Sequence, residues 1–176
     1  MALWVCIGCQ VRSNPSSVWQ EWARREGGFA AQSFQARAQS ALEALNRSSQ
    51  NIRVSVLGSQ HVGAYAWPDG SIFLTSALVE ILDPQETAAV IAHELGHLDN
   101  HPVSSNASAL LGKAEHLDDE SRADEFACDL LRRSGLTPRA LASALRKVQL
   151  VPDLSDQQKQ MLSNRADRVT SRFACP

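Results

Sequence analysis

Asp83-Pro84-Gln85-Glu86-Thr87-Ala88-Ala89-Val90-Ile91-Ala92-His93-Glu94-Leu95-Gly96-His97-Leu98-Asp99 is the stretch from which the rest of the chain can be read. It opens as a helix: Asp83 can cap, Pro84 suits the first helical position, and Glu86 completes a capping box. The apolar run Ala88–Ala92 makes this a core helix. His93 and His97 stand at i and i+4, hence on one face, one turn apart. Both imidazoles can then reach one Zn²⁺ at about 2.0–2.1 Å. Glu94 falls beside the metal, where a carboxylate can take a proton from water. Two histidines at the edge of an apolar helix are costly unless they are used.

A catalytic zinc needs a third protein ligand and one open position. The candidate is Glu120, in Glu120-Ser121-Arg122-Ala123-Asp124-Glu125-Phe126-Ala127. Glu120 and Asp124 again share a helix face. Glu120 is expected to bind the metal, and Asp124 to accept the N–H of a ligating histidine and fix its tautomer. Asp118, Asp119 and Glu125 read as a solvated face.

Upstream, residues 16–26 and about 30–47 read as helices, the second presenting Phe34, Ala38, Ala41, Leu42 and Leu45 on one face. The period then changes. Ile52, Val54 and Val56 alternate with polar residues, His61 to Trp67 reads as a second strand, and Ser71 to Thr75 as a third. Pro68-Asp69-Gly70 is the turn between the last two. A small antiparallel sheet over 52–75 is the expectation. A short helix to about Leu82 should follow. Downstream, 100–113 reads as a loop, 117–134 as a helix ending at Gly135, and Thr137–Val148 as another. One or two helices then finish the chain.

The helix Ile91–His97 followed by Glu120-x-x-Ala123-Asp124-x-x-Ala127 resembles the zinc peptidases of the HtpX and CAAX-prenyl-protease (Ste) type, gluzincins with a His-Glu-x-x-His and a Glu-x-x-Ala-Asp motif. The segment Ala64-Tyr65-Ala66-Trp67-Pro68-Asp69-Gly70-Ser71-Ile72-Phe73-Leu74-Thr75 is similar to the strand, turn and strand of that family. The resemblance covers about residues 50–135. It implies an α+β, zincin-like fold, with the sheet against a mainly helical body and a cleft between an edge strand and the metal helix. It also implies one zinc per chain, with Glu120 as third ligand. Ala64, Tyr65, Ala66 and Trp67 would form the edge on which substrate lies as an added strand. Two departures stand out. Gly63 occupies a position where members often carry Asn. Near the C-terminus the family's His-Pro pair is missing, with Arg165-Ala166 in its place. Arg172 is the nearest match to the family's arginine and Arg168 the next. By the resemblance, Arg172 or Arg165 would stabilise the oxyanion.

Composition bounds the partners. The chain has 176 residues and a formal net charge of −2, with no basic block that would track phosphates, so no nucleic-acid partner is expected. No run of about 18 apolar residues is present for a transmembrane span. The first fifteen residues stand apart from a single domain over 16–176. Met1–Cys9 is apolar, and Cys6-Ile7-Gly8-Cys9 resembles a bacterial lipobox followed by a polar tether. On that reading Cys9 carries lipid and the protein is periplasmic or membrane-anchored. The other reading is a buried N-terminal element in a cytoplasmic protein. Cys128 and Cys175 then remain as a pair, bridged in an oxidising compartment or buried as two separate thiols.

The reaction expected is hydrolysis of protein or peptide substrates, in envelope quality control by analogy. Two other readings stay open: a zinc-binding chaperone or adaptor lacking peptidase activity, and an interaction domain with structural zinc and a fourth ligand such as His101 or His116.

Overall fold

The computed structural model describes residues 15–46, 52–67, 69–100, 108–109 and 117–173. Cys9, His101, His116, the Cys128–Cys175 pairing and nearly all of the expected 1–15 segment lie outside those residues. The elements are, in order, α1 (Pro15–Arg25), α2 (Gln32–Ala44), β1 (Arg53–Leu57), β2 (Ala64–Ala66), β3 (Ser71–Thr75), α3 (Ser76–Ile81), α4 (Pro84–Asn100), β4 (Ser108–Ala109), α5 (Leu117–Arg133), α6 (Arg139–Gln149) and α7 (Asp156–Phe173). The fold is α+β, as expected. No helix among the described residues is long and apolar enough to cross a membrane.

The capping box at the start of α4 forms as its sequence dictates. Glu86 N–H donates to Asp83 Oδ1 at 2.9 Å, and Asp83 N–H donates back to Glu86 Oε2 at 2.7 Å. Glu86 is buried. It also accepts from Ser143 Oγ at 2.7 Å and Lys147 Nζ at 2.6 Å, which ties the start of α4 to α6. From Ala88 to Leu95 every side chain of α4 is buried. The main core gathers around it, with α2, α5, α6 and α7 and the inner face of the sheet.

The sheet departs from expectation in two ways. Its order is β1-β3-β2-β4, and β1 pairs with β3 in parallel, so it is mixed rather than antiparallel. The expected β2–β3 hairpin forms, with Gly70 in its turn at φ 83°. β1 then joins the free edge of β3 instead of that of β2. Alternation of apolar residues fixes which face is buried, not which edge is paired. β3 is buried along its whole length, as suits a central strand. The outer edge of β1 is closed by the side-chain amide of Gln35. That amide donates to Val56 O at 2.7 Å and accepts from Val56 N–H at 2.9 Å.

The second departure concerns β2. It is not the sheet edge, because β4 pairs with it antiparallel at Tyr65↔Ala109 and Ala66↔Ser108. The segment read as a loop between α4 and α5 thus returns a strand to the sheet. A two-residue strand with no period of its own leaves no pattern to read.

Candidate metal centre

Helices α4 and α5 bring the three predicted ligands to one point. His93 Nε2 and His97 Nε2 lie 3.1 Å apart, with their rings nearly perpendicular. Glu120 Oε2 is 3.4 Å from His93 Nε2, and Glu120 Oε1 is 3.4 Å from His97 Nε2. At 3.4 Å the carboxylate contacts are long for hydrogen bonds. They suit ligands of one ion, because a tetrahedral centre with bonds near 2.0–2.1 Å sets its ligand atoms about 3.3 Å apart. All three residues are buried, and their ligand atoms lie within 4.8 Å of one another. The donor set therefore fits a divalent metal.

Asp124, one turn after Glu120, lies with Oδ1 3.0 Å from His93 Nδ1. That contact fixes the tautomer and turns Nε2 toward the metal position. Arg165 of α7 is fully buried above the two acids. Its Nε and Nη2 donate to Asp124 Oδ2 and Oδ1 at 3.0 and 2.7 Å, and its Nη1 lies 2.7 Å from Glu120 Oε2. The last is an ion-pair contact without hydrogen-bond alignment, since Glu120 Oε2 has no aligned donor among the described residues.

Among the described residues Glu94 has neither kind of partner. It is wholly buried, and neither carboxylate oxygen meets a hydrogen-bond donor among the described residues. A buried carboxylate left this way is unusual in a structural role. It is what a group awaiting water and substrate requires.

The electrostatics of the metal-free site follow from this packing. Burial, reinforced by Glu120 and opposed by His93 and Arg165, raises Glu94 to about 8. Burial and Arg165 pull His93 down, but Asp124 and Glu120 outweigh them and hold it at about 9. Burial lowers His97. Burial would raise both Glu120 and Asp124. Instead the histidines and Arg165 keep Glu120 well below the usual carboxylate range, and Arg165 and His93 bring Asp124 to about 2.

The structure thus unites His93, Glu94, His97, Glu120, Asp124 and Arg165. It does not bring Arg172 to them. That side chain is exposed and pairs with Glu125 at the surface. Arg168 donates to Ser121 Oγ at 2.5 Å. Arg165, Arg168 and Arg172 fall at i, i+3 and i+7 on the α5-facing side of α7, and only depth separates them. Sequence spacing showed the stripe but gave no measure of depth. Ala64 and Ala66 face the core. Tyr65 and Trp67 point to the opposite side of the sheet, where Trp22 of α1 lies 5.0 and 5.7 Å from their rings. Tyr65 OH also meets His61 Nε2 at 2.7 Å. Burial, with Glu26 and Glu94 adding, raises this phenol to about 12. Cys128 is buried in α5, and burial pushes its thiol up to about 12.

Known proteins share this arrangement of sequence. Metalloprotease LoiP of Escherichia coli (strain K12) is 26% identical over 135 residues, 58% of this chain and 54% of the relative. The chain spans about half the length of that curated relative. The model of peptidase family M48 matches residues 30–117, which hold all four strands of the sheet and the His93–His97 helix and stop just short of Glu120. Half of the 176 residues fall within that match, and the donor geometry agrees with it: the chain belongs to peptidase family M48.

Proposed function

We propose that this protein is a zinc-dependent endopeptidase acting on unfolded or extended protein substrates. The convergence of His93, His97 and Glu120 beside an unpartnered buried Glu94 carries the reading. His93 Nε2, His97 Nε2 and one Glu120 oxygen would hold one zinc and leave a position open. When bound, the ion supplies Lewis acidity, which polarises a scissile carbonyl and acidifies water. Glu94 takes the proton of the attacking water and returns it to the leaving amide nitrogen as the C–N bond breaks. Its burial beside the two histidines, with both oxygens free of donors among the described residues, leaves this carboxylate available to take that proton.

Substrate would enter as a strand along β2. Trp67 N–H donates to Ser71 O, and Thr75 N–H donates to Gly63 O. In antiparallel alternation Tyr65 then also faces β3, and Ala64 and Ala66 turn their backbone groups outward. β4 takes the pairing at Ala66, and among the described residues the register runs to Tyr65↔Ala109. Among the described residues Ala64 has no strand partner on that side. That this edge accepts an antiparallel strand from the chain itself supports peptide addition there. The place of action we propose is the bacterial envelope, with lipid on Cys9, on the strength of Cys6-Ile7-Gly8-Cys9. A role in protein quality control there is part of the same proposal.

The test is cleavage of unfolded casein by purified protein, with and without chelator, beside Glu94→Gln. Chelator-sensitive cleavage that drops by about 10²–10⁴-fold in Glu94→Gln is expected. Cleavage that persists in Glu94→Gln would refute the role given to that residue.

A further inference from the structure

Among the described residues Arg165 is the largest fully buried side chain, and it comes from α7, an element that supplies no metal ligand. A guanidinium sealed from water persists only where its charge and donors are matched. Here they are matched by two acids of α5. Nε and Nη2 fork Asp124 through both its oxygens, and Nη1 reaches Glu120 Oε2 at 2.7 Å. Nη2 also lies 3.3 and 3.4 Å from the ring nitrogens of His93. One planar group thus touches the third ligand, the acid that orients the first ligand, and that first ligand's ring.

The charges make the same point. Asp124, Glu120 and Glu94 bring three negative charges to a buried space. A divalent ion and Arg165 bring three positive ones. The loaded site is neutral with Arg165 and carries net negative charge without it. With Nε and Nη2 donating to Asp124 and Nη1 held against Glu120 as an ion pair, the guanidinium is badly placed to meet a developing oxyanion, whose donors must point into the substrate space.

We propose that Arg165 is a positioning residue for metal capture: it holds Glu120 and Asp124 in ligating geometry before the ion arrives, and it does not act on substrate. This rests on the zinc reading above. It gives α7 a function in the site despite the missing His-Pro pair.

The test compares zinc dissociation constants, by chelator competition, for the wild type, Arg165→Met and Arg165→Lys, together with kcat and KM on casein at saturating zinc. In Arg165→Met zinc should bind about 10–100-fold more weakly, the usual effect of losing a group that orients metal ligands. KM should stay unchanged. Arg165→Lys should recover part of the affinity, since an ammonium can meet one acid but cannot fork Asp124 while reaching Glu120. An unchanged zinc constant with kcat lower by about 10²–10³-fold would overturn the proposal and make Arg165 an oxyanion donor. If Arg165→Met does not fold, the charge-keeping Arg165→Lys decides alone: several-fold weaker zinc supports positioning, and wild-type affinity refutes it. A wild type that binds zinc without cleaving casein would fail the peptidase reading and leave the affinity comparison decisive. A wild type that binds no zinc would end both.

Discussion

Gly96 of α4 lies so close to Ala123 of α5 that a Cβ on Gly96 would stand 2.8 Å from the Ala123 Cα and 3.0 Å from its carbonyl oxygen. This is the crossing at which the metal helix meets the helix of the third ligand. Gly96 sits between His93 and His97 in sequence, and Ala123 between Glu120 and Asp124. Small residues at the contact let the two ligand pairs close on one point. Gly96→Ala would gain up to about 1 kcal/mol in helix propensity. Forcing two backbones apart costs about 1–3 kcal/mol. The expected outcome is a protein with a lower urea midpoint and weaker zinc binding. Urea titration and chelator competition on the same preparation check it, and wild-type values in both would refute the close crossing.

Stability of the metal-free protein should fall as pH rises. Glu94 is raised from 4.5 to about 8, and His93 from 6.5 to about 9. A raised folded value means that the contribution is full below the unfolded value and is lost as pH climbs through the folded one. Both groups therefore lower the urea midpoint; His97, lowered by burial, acts in the opposite sense up to its unfolded value of 6.5, so the fall is unopposed only from about pH 7 to pH 9. Asp124 acts in the opposite sense at the acid end, because its value is depressed from 3.8 to about 2. Its contribution is present above 3.8 and lost as pH falls toward 2. Zinc requires neutral histidines, so the stabilisation that zinc confers should grow with pH. Urea titrations with and without zinc check this. A metal-free midpoint that is flat or rising from about pH 7 to 9 would count against the burial given to Glu94 and His93.

Ser108→Pro should favour substrate. By the alternation of β2, Ser108 faces Ala66 as the hydrogen-bonded partner, and proline there removes the donor. If peptide substrate uses the same outward edge of β2, weakening β4 removes a competitor. A several-fold rise in kcat/KM on casein with unchanged zinc content is expected. A lower kcat/KM would instead mean that β4 is itself the surface to which substrate adds.

What could be read from the sequence follows a physical line. His93, His97, Glu120 and Asp124 are legible because helical geometry turns a spacing of four into a shared face, and Glu94 because it follows the first histidine in the same motif. The Asp83–Glu86 cap was readable because it is local. The parallel pairing of β1 with β3 was not, since edge choice depends on contacts across the fold. β4 escaped notice because two residues carry no period. Arg165 and Arg172 differ by two helical turns, and nothing in the sequence told which turn of α7 lies beneath α5 and which reaches solvent. Depth decided their roles, and depth is a tertiary quantity.

The most direct test of the central claim is X-ray absorption at the zinc edge on protein prepared with one equivalent of zinc. Two imidazoles with oxygen completing a shell at about 2.0–2.1 Å is the predicted result, to be lost in a His97→Ala variant. A sulfur shell near 2.3 Å, or zinc that does not stay bound to the wild type, would contradict the account.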